Sequence, residues 1–201
     1  MRRYPVRPAF AVVTALFAAA AFAATPGQGA PDFAVNDASG KPVKLSDFRG
    51  KHVVLEWTNP ECPFVQKHYS AQNMQSLQKE FGARDVVWLS VNSTSKGHPE
   101  YKDGAQMAAW MQKQGGAPKA VLIDDSSAAG RAYAARTTPH MFVIDPAGKI
   151  VYAGAIDDKR SANPADVKGA NNFVRAALNE SLAGKSVTTA STTPYGCSVK
   201  Y

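Results

Sequence analysis

The residues best suited to chemistry are two cysteines, and Cys62 is the more informative. It lies in EWTNPECPFVQKHY, after a strand-like apolar run and directly before Pro63. Disulfides and peroxides are attacked by a thiolate, and a helix N-terminus favours that negative charge through its unpaired N–H groups. Proline suits the first helical position, so the amides of Phe64 and Val65 are candidate donors toward the sulfur. The sequence predicts that Cys62 is a nucleophile, with an inert buried cysteine as the alternative.

The position one turn after Cys62, where a second cysteine would be expected, is Val65. The only other cysteine in the sequence is Cys197. A lone nucleophile stops at a sulfenic acid or a mixed disulfide, so a complete cycle needs a second thiol, either from a partner or from Cys197. We therefore predict that Cys62 and Cys197 pair. A bridge closing a loop of about 135 residues would stabilise the fold by roughly 5 kcal/mol, so a permanent structural disulfide remains an alternative to a cycling one.

Residues 1–23 have the pattern of a signal peptide. Three Arg residues precede an apolar run that begins at Ala9, and Ala21-Phe22-Ala23 fits a cleavage site. The run is about 16 residues, short of the roughly 20 that an uncleaved spanning anchor needs. We expect a periplasmic or secreted protein without membrane insertion after cleavage. Losing three Arg lowers the formal charge from +7 to +4, and no basic run indicates nucleic-acid binding.

The rest of the chain alternates strand-like and helix-like segments, which predicts a single α/β domain over residues 24–185 and a C-terminal tail over residues 186–201. The tail has no periodic pattern, so we expect a surface strap. Predicted strands, after an N-terminal β-hairpin, are HVVLEWT, DVVWLSVN, AVLID, HMFVID and KIVYAGAI. Predicted helices cover residues 63–81, 100–114 and 126–136, with a last helix that Asn163 caps and Gly184 ends.

Two segments carry a family resemblance: APDFAVNDASGKPVKLSDFRGKHVVLEWTNPECPF and TTPHMFVIDPAGKIVYAGAID. Together they resemble, over about residues 30–160, the thioredoxin-fold branch of the peroxiredoxins, the AhpC/TSA proteins and the TlpA-like thiol oxidoreductases. With its tail GCSVKY, the chain most resembles a peroxiredoxin-like group with one cysteine at the active turn and a second in the tail.

The resemblance implies a thioredoxin fold, with a central mixed β-sheet flanked by helices, and an enzyme of thiol redox chemistry. It implies thiol-disulfide exchange, peroxide reduction as a second activity, and Cys197 as the resolving cysteine. The implied partners are protein thiols or disulfides, or a hydroperoxide, together with a reductant that the sequence does not identify. No cofactor is expected.

The resemblance also implies roles for four further residues. The Thr138–Pro139 bond would be cis and face Cys62, so that the Thr138 backbone binds an incoming extended chain. Glu56, six residues before Cys62, would relay protons with a raised pKa if it is buried; alternatively it points outward and pairs with Lys51. Peroxiredoxins carry T-x-x-C, whereas Thr58 stands four residues before Cys62. The match to a peroxide-binding motif is therefore incomplete.

Two other functions stay open at the sequence level. Soft thiolates select Cu(I), so Cys62, Cys197 and His140 are a candidate copper site, whereas His68 should point away from the sulfur. The second alternative is a binding module without catalysis, in which a disulfide only stabilises the fold.

Overall fold

The computed structural model of the protein describes residues 24–201, so the predicted signal peptide lies outside the described residues. The strands are Ala34–Asp37 (β1), Pro42–Lys44 (β2), Val53–Trp57 (β3), Val87–Asn92 (β4), Ala120–Ile123 (β5), Thr137–Thr138 (β6), His140–Ile144 (β7), Ile150–Gly154 (β8) and Cys197–Ser198 (β9). The α-helices are Pro63–Ser70 (α1), Asn73–Gly82 (α2), Gly104–Lys113 (α3), Ala128–Ala132 (α4) and Phe173–Leu182 (α5), and two 3-10 helices span Leu45–Phe48 and Pro164–Gly169. None of the helices between residues 24 and 201 is both long enough and apolar enough to cross a membrane.

Seven strands form one mixed sheet in the order β2-β1-β5-β4-β3-β7-β8. Its centre, β3, β4 and β5, is parallel, while β7 is antiparallel to β3 and forms a hairpin with β8. The β1–β2 hairpin joins the other side through an antiparallel pairing of β1 with β5. The predicted α/β class, the mixed sheet and the N-terminal hairpin are confirmed.

The central strand β3 separates two apolar cores. Val53, Leu55 and Trp57 pack into a cluster with α4 and the N-terminal segment, whereas Val54 packs with α1, α2, α3 and α5. Side chains alternate along a strand, so Glu56 lies on the same face as Val54. This face also contains Cys62.

The predicted helix over residues 63–81 is wrong in one respect, because it is two helices. The chain breaks after α1 at Ala71 and Gln72, and Gln72 adopts a left-handed conformation with φ 57°. The side chain of Gln75 donates to the Tyr69 carbonyl at 2.8 Å, which satisfies a group that a continuous helix would have paired.

Other helix boundaries also differ from the prediction, for local reasons. The helix α3 begins only at Gly104, because the carboxylate of Asp103 accepts from the amide of Gln106 and caps it. The predicted helix over residues 126–136 shortens to α4. Asn163 caps only a 3-10 helix, and Asn172 caps α5.

The tail is not the simple surface strap that the sequence indicated. Residues 190–192 run beside the edge strand β8: the Ala153 amide donates to the Ala190 carbonyl, and the Thr192 amide donates to the Ala153 carbonyl. Further along, Tyr195 is buried, and β9 pairs antiparallel with β6. The other part of the β8 edge is covered by residues 27–30, which bond Gly148 and Ile150.

Candidate active site

Cys62 is the N-cap residue of α1, with Pro63 at the first helical position, as the sequence indicated. Its side chain is almost fully buried, with 1% exposed. The predicted contact of the sulfur with the helix amides is not formed, because no side-chain hydrogen bond caps α1. Instead, the Cys62 thiol donates to the carbonyl of Thr138 at 2.9 Å. In the reduced protein, the Cys62 thiol therefore lies against the backbone of β6.

The segment that faces Cys62 is β6 with the proline that follows it. The Thr138–Pro139 peptide bond is cis, which confirms that expectation. In the two-stranded pairing of β6 with β9, Thr138 is directly opposite Cys197, and Thr137 is opposite Ser198. The backbone of Thr138 thus meets Cys62 through its carbonyl and Cys197 through strand pairing.

Cys197 packs against the apolar cluster that contains Cys62, and both cysteines are free thiols. Burial raises the pKa of Cys197 to about 12, and the nearby Cys62 sulfur acts in the same direction. Lys200 opposes this shift and Glu100 adds to it. Cys197 is consequently a neutral thiol at neutral pH. Removal of two electrons and two protons from this pair would join the sulfurs in a disulfide.

Glu56 is fully buried on the face of the sheet that packs against α1, the helix that Cys62 caps. Burial raises its pKa to about 7, although hydrogen bonds oppose the shift. Its carboxyl group accepts from Trp88 Nε1 at 2.7 Å, Tyr69 Oη at 2.9 Å, Ser90 Oγ at 3.0 Å and Gln78 Nε2 at 3.4 Å. The alternative pairing with Lys51 is wrong, because Lys51 binds Asp85 at the surface. A buried carboxyl with a pKa near neutrality can exchange protons at physiological pH.

The two threonines proposed for substrate binding are both buried. Thr58 follows β3, and its backbone pairs with Val91 and with the side chain of Asn92. Within residues 24–201, the hydroxyl groups of Thr58 and Thr138 have no hydrogen-bond partner. Each could therefore donate to a small polar group that enters the site.

The candidate copper site does not assemble. Within the described part of the chain, no three His, Cys, Asp or Glu side chains come together as metal ligands. His140 is buried after the cis proline, where its Nδ1 atom lies 3.3 Å from the backbone amide of Arg136. Burial, followed by the nearby Arg136 charge, lowers the pKa of His140 to about 3.

A second buried polar cluster, which the sequence did not reveal, holds the tail near Cys197. The Tyr195 hydroxyl donates to Asp157 Oδ1 at 2.5 Å and lies 3.1 Å from His68 Nε2 and 3.4 Å from Lys67 Nζ. Lys67 Nζ is 3.8 Å from Asp157 Oδ2 and also donates to the Lys159 carbonyl. His68 is thus packed against the tail. We name Lys67, His68, Asp157 and Tyr195 the tail anchor.

Comparison with known proteins gives a consistent assignment. The family model described as "AhpC/TSA family" matches residues 26–153. The thiol-disulfide oxidoreductase ResA of Bacillus subtilis is 28% identical over 125 residues, which are 62% of this chain and 64% of ResA. An uncharacterized conserved protein from Geobacillus kaustophilus has a structure that matches with a TM-score of 0.77 at 26% identity, covering 89% of this chain and 93% of its own.

A third similar protein is the pneumococcal exposed lipoprotein thioredoxin Etrx1 from Streptococcus pneumoniae. It is 29% identical, with a TM-score of 0.50, and the match covers 61% of this chain and 87% of Etrx1. The tail with Cys197 lies beyond the residues matched by the family model. The fold, the active turn before α1 and this match lead to one conclusion: the chain belongs to the AhpC/TSA family of the thioredoxin superfamily.

Proposed function

We propose that this protein is a thiol-disulfide oxidoreductase whose redox pair is Cys62 and Cys197. The observation that carries the proposal is that Thr138 meets both cysteines: its carbonyl accepts from the Cys62 thiol at 2.9 Å, and strand pairing fixes Cys197 directly opposite it. Two cysteines held against the same backbone residue need no large movement to form a disulfide. The name of the relative ResA supports the same class of reaction.

The proposed reaction transfers two electrons in two exchange steps. The Cys62 thiolate attacks one sulfur of a partner protein disulfide, which forms a mixed disulfide and releases the other partner sulfur as a thiolate. The Cys197 sulfur, after losing its proton, attacks the Cys62 sulfur. This step forms the Cys62–Cys197 disulfide and releases the second partner thiol. The partner disulfide is reduced while the pair is oxidised, and a dithiol partner runs the same steps in reverse.

Glu56 is the proposed proton carrier for these steps. Cys197 must lose a proton before it attacks, and its raised pKa makes this step unfavourable without a base. A carboxyl group with a pKa of about 7 is able to accept a proton and return it at neutral pH. Its full burial against α1 supports a proton-transfer role inside the protein, away from the partner.

Non-reducing peptide mapping tests the redox pair. After one equivalent of oxidant, we expect a linked peptide that contains Cys62 and Cys197. In Cys197→Ser, the same oxidant should yield a sulfenic acid at Cys62 or an intermolecular dimer. The proposal is wrong if wild type dimerises through Cys62 while Cys197 stays free. A permanent structural disulfide, as in the binding-module alternative, would instead resist a stoichiometric amount of dithiothreitol and show no exchange with partner disulfides.

A hydroperoxide is the second candidate substrate, favoured by the buried hydroxyls of Thr58 and Thr138 that lack a partner. The Cys62 thiolate would cleave the O–O bond to give an alcohol and a sulfenic acid, which Cys197 would convert to the disulfide and water. Arg131, a residue that could polarise a peroxide, stacks instead on the Tyr201 ring. We therefore expect peroxide consumption to be slower than disulfide exchange, as stopped-flow measurements with each substrate would show.

We also propose that the protein is exported and acts outside the cytoplasm. The support is the pattern of residues 1–23 and the word "exposed" in the name of the pneumococcal lipoprotein. The intact mass of the purified native protein should correspond to a chain that starts near Ala24. An intact Met1 in a soluble cytoplasmic fraction would contradict export.

A further inference from the structure

The tail strand β9 occupies the backbone edge that an incoming peptide would need. The β6 residues Thr137 and Thr138 lie beside Cys62, and both are paired with the tail through Ser198 and Cys197. An extended peptide binds an exposed strand edge through main-chain hydrogen bonds. With the tail in place, this edge is filled and Cys62 is 1% exposed.

Gly196 permits this close approach of the tail to β6. Its φ is 140°, in the region that favours glycine, and a Cβ atom at this position would lie 2.0 Å from the Thr138 carbonyl oxygen. The oxygen belongs to the backbone, next to Pro139, and cannot rotate aside as a flexible side chain would. Any larger residue at position 196 therefore displaces the tail from β6.

Tyr195 fixes the tail on the other side of Gly196. Its ring packs edge-to-face on Phe64 of α1 with centroids 5.8 Å apart, and its hydroxyl is held by Asp157 in the tail anchor. The residues Tyr195, Gly196 and Cys197 thus have three successive roles: a side-chain anchor, a close backbone approach and the second thiol.

We propose that the reduced protein keeps its own tail bound at the β6 edge as an intramolecular occupant, and that a partner must displace it to reach Cys62. The partner is an extended polypeptide segment that carries a cysteine, since only such a segment replaces both the strand pairing and the thiol of β9. The inference rests on the proposed function, because it assigns the access route to the same redox pair. Tyr195 and Gly196 are positioning residues in this arrangement.

The test compares full-length reduced Gly196→Ala with wild type and with Gly184→Ala. Gly184 is a matched control, because its φ of 69° is also positive but its Cβ would meet open space. Iodoacetamide labelling at constant pH, resolved by mass spectrometry for each cysteine, reports the accessibility of Cys62. We expect the Cys62 labelling rate to increase about tenfold or more in Gly196→Ala, which corresponds to roughly 1.4 kcal/mol in the tail-binding equilibrium. Gly184→Ala should label like wild type.

A second measurement uses a short cysteine peptide activated as its 5-thio-2-nitrobenzoate disulfide. In Gly196→Ala, the mixed disulfide with Cys62 should form faster by a similar factor, while the equilibrium constant for the Cys62–Cys197 disulfide against glutathione should fall. Tyr195→Phe, which removes only the hydroxyl, should likewise raise the Cys62 labelling rate and the rate of mixed-disulfide formation. It should also lower the equilibrium constant for the Cys62–Cys197 disulfide. Circular dichroism checks that each variant is folded. If Gly196→Ala does not fold, the Tyr195→Phe rates alone test whether the tail controls access to Cys62.

Two outcomes separate the inference from the proposed function. If Gly196→Ala and Tyr195→Phe label and exchange at wild-type rates while wild type still forms the Cys62–Cys197 disulfide, the tail does not control access and the inference is wrong. If oxidised wild type contains no such disulfide, the proposed function fails, whatever the labelling rates are.

Discussion

At the scale of single residues, two ionisable side chains are buried without a close partner of opposite charge. Glu56 is a carboxyl group in an apolar core with four neutral donors and no cation among its hydrogen-bond partners. Lys67 is a buried ammonium group that meets Asp157 at 3.8 Å, a distance too long for a good hydrogen bond. Burial raises the pKa of Glu56 and lowers the pKa of Lys67, so each group is less readily charged than it would be in water.

Replacing Glu56 with Gln should remove a pH dependence of stability. The pKa of Glu56 is raised from 4.5 to about 7, so the folded state binds its proton more tightly than the unfolded state does. Stability is unaffected below pH 4.5, decreases as the pH rises from 4.5 to 7, and is then lower by on the order of 3 kcal/mol. Urea unfolding between pH 4 and 8 should show this decrease in wild type and a flatter profile in Glu56→Gln. Equal slopes would mean that Glu56 is not the titrating group.

Replacing Lys67 with Met should destabilise the protein by about 3 kcal/mol, because Asp157 would remain buried without its cation. The double variant Lys67→Met/Asp157→Asn should lose less than the sum of the two single variants. Lys51→Met is the matched control, since Lys51 forms an exposed pair with Asp85 and should change stability by less than about 1 kcal/mol. Chemical denaturation of the four variants measures these differences. Additive losses would show that Lys67 and Asp157 do not interact.

At the scale of elements, local patterns predicted which segments are helices and strands, and tertiary contacts decided where they end. The strand HVVLEWT and the turn at Cys62 follow from apolar runs and from Pro63, so the position of Cys62 at the N-terminus of α1 was predictable. The break at Gln72 was not, because the amphipathic pattern continues through it; in the structure, Gln75 donates across the break to the Tyr69 carbonyl. The tail anchor was equally hidden, since Lys67, Asp157 and Tyr195 are far apart in sequence and form no local motif.

The break between α1 and α2 offers a test at this scale. Gln72 is exposed, with φ 57°, a left-handed conformation that costs a non-glycine residue about 1 kcal/mol. Gln72→Gly should therefore stabilise the protein by roughly 0.5–1 kcal/mol. Lys79→Gly, at an exposed position inside α2, should destabilise it by a similar amount. Thermal unfolding compares the two variants, and a destabilised Gln72→Gly would contradict the strained conformation.

At the scale of the whole molecule, Cys62 and Cys197 join the centre of the fold to the tail. A disulfide between them closes a loop of about 135 residues, and the chain-entropy model gives a stabilisation of up to roughly 5 kcal/mol. The oxidised protein should therefore unfold at a higher guanidinium concentration than the reduced protein. Cys197→Ser should unfold at one midpoint with or without reductant. Identical midpoints for oxidised and reduced wild type would argue against a disulfide that closes this loop.

The tail also covers part of β8, an outer strand of the main sheet. Residues 190–192 pair with the amide and the carbonyl of Ala153, while residues 27–30 pair with Gly148 and Ile150. An uncovered outer strand is a template for β-pairing between copies of a protein, and natural proteins avoid aggregation by blocking it. Release of the whole tail would leave Ala153 open to a second molecule. If a partner displaces the whole tail rather than β9 alone, solubility and access to Cys62 are linked, because the same movement that exposes the thiol also exposes Ala153.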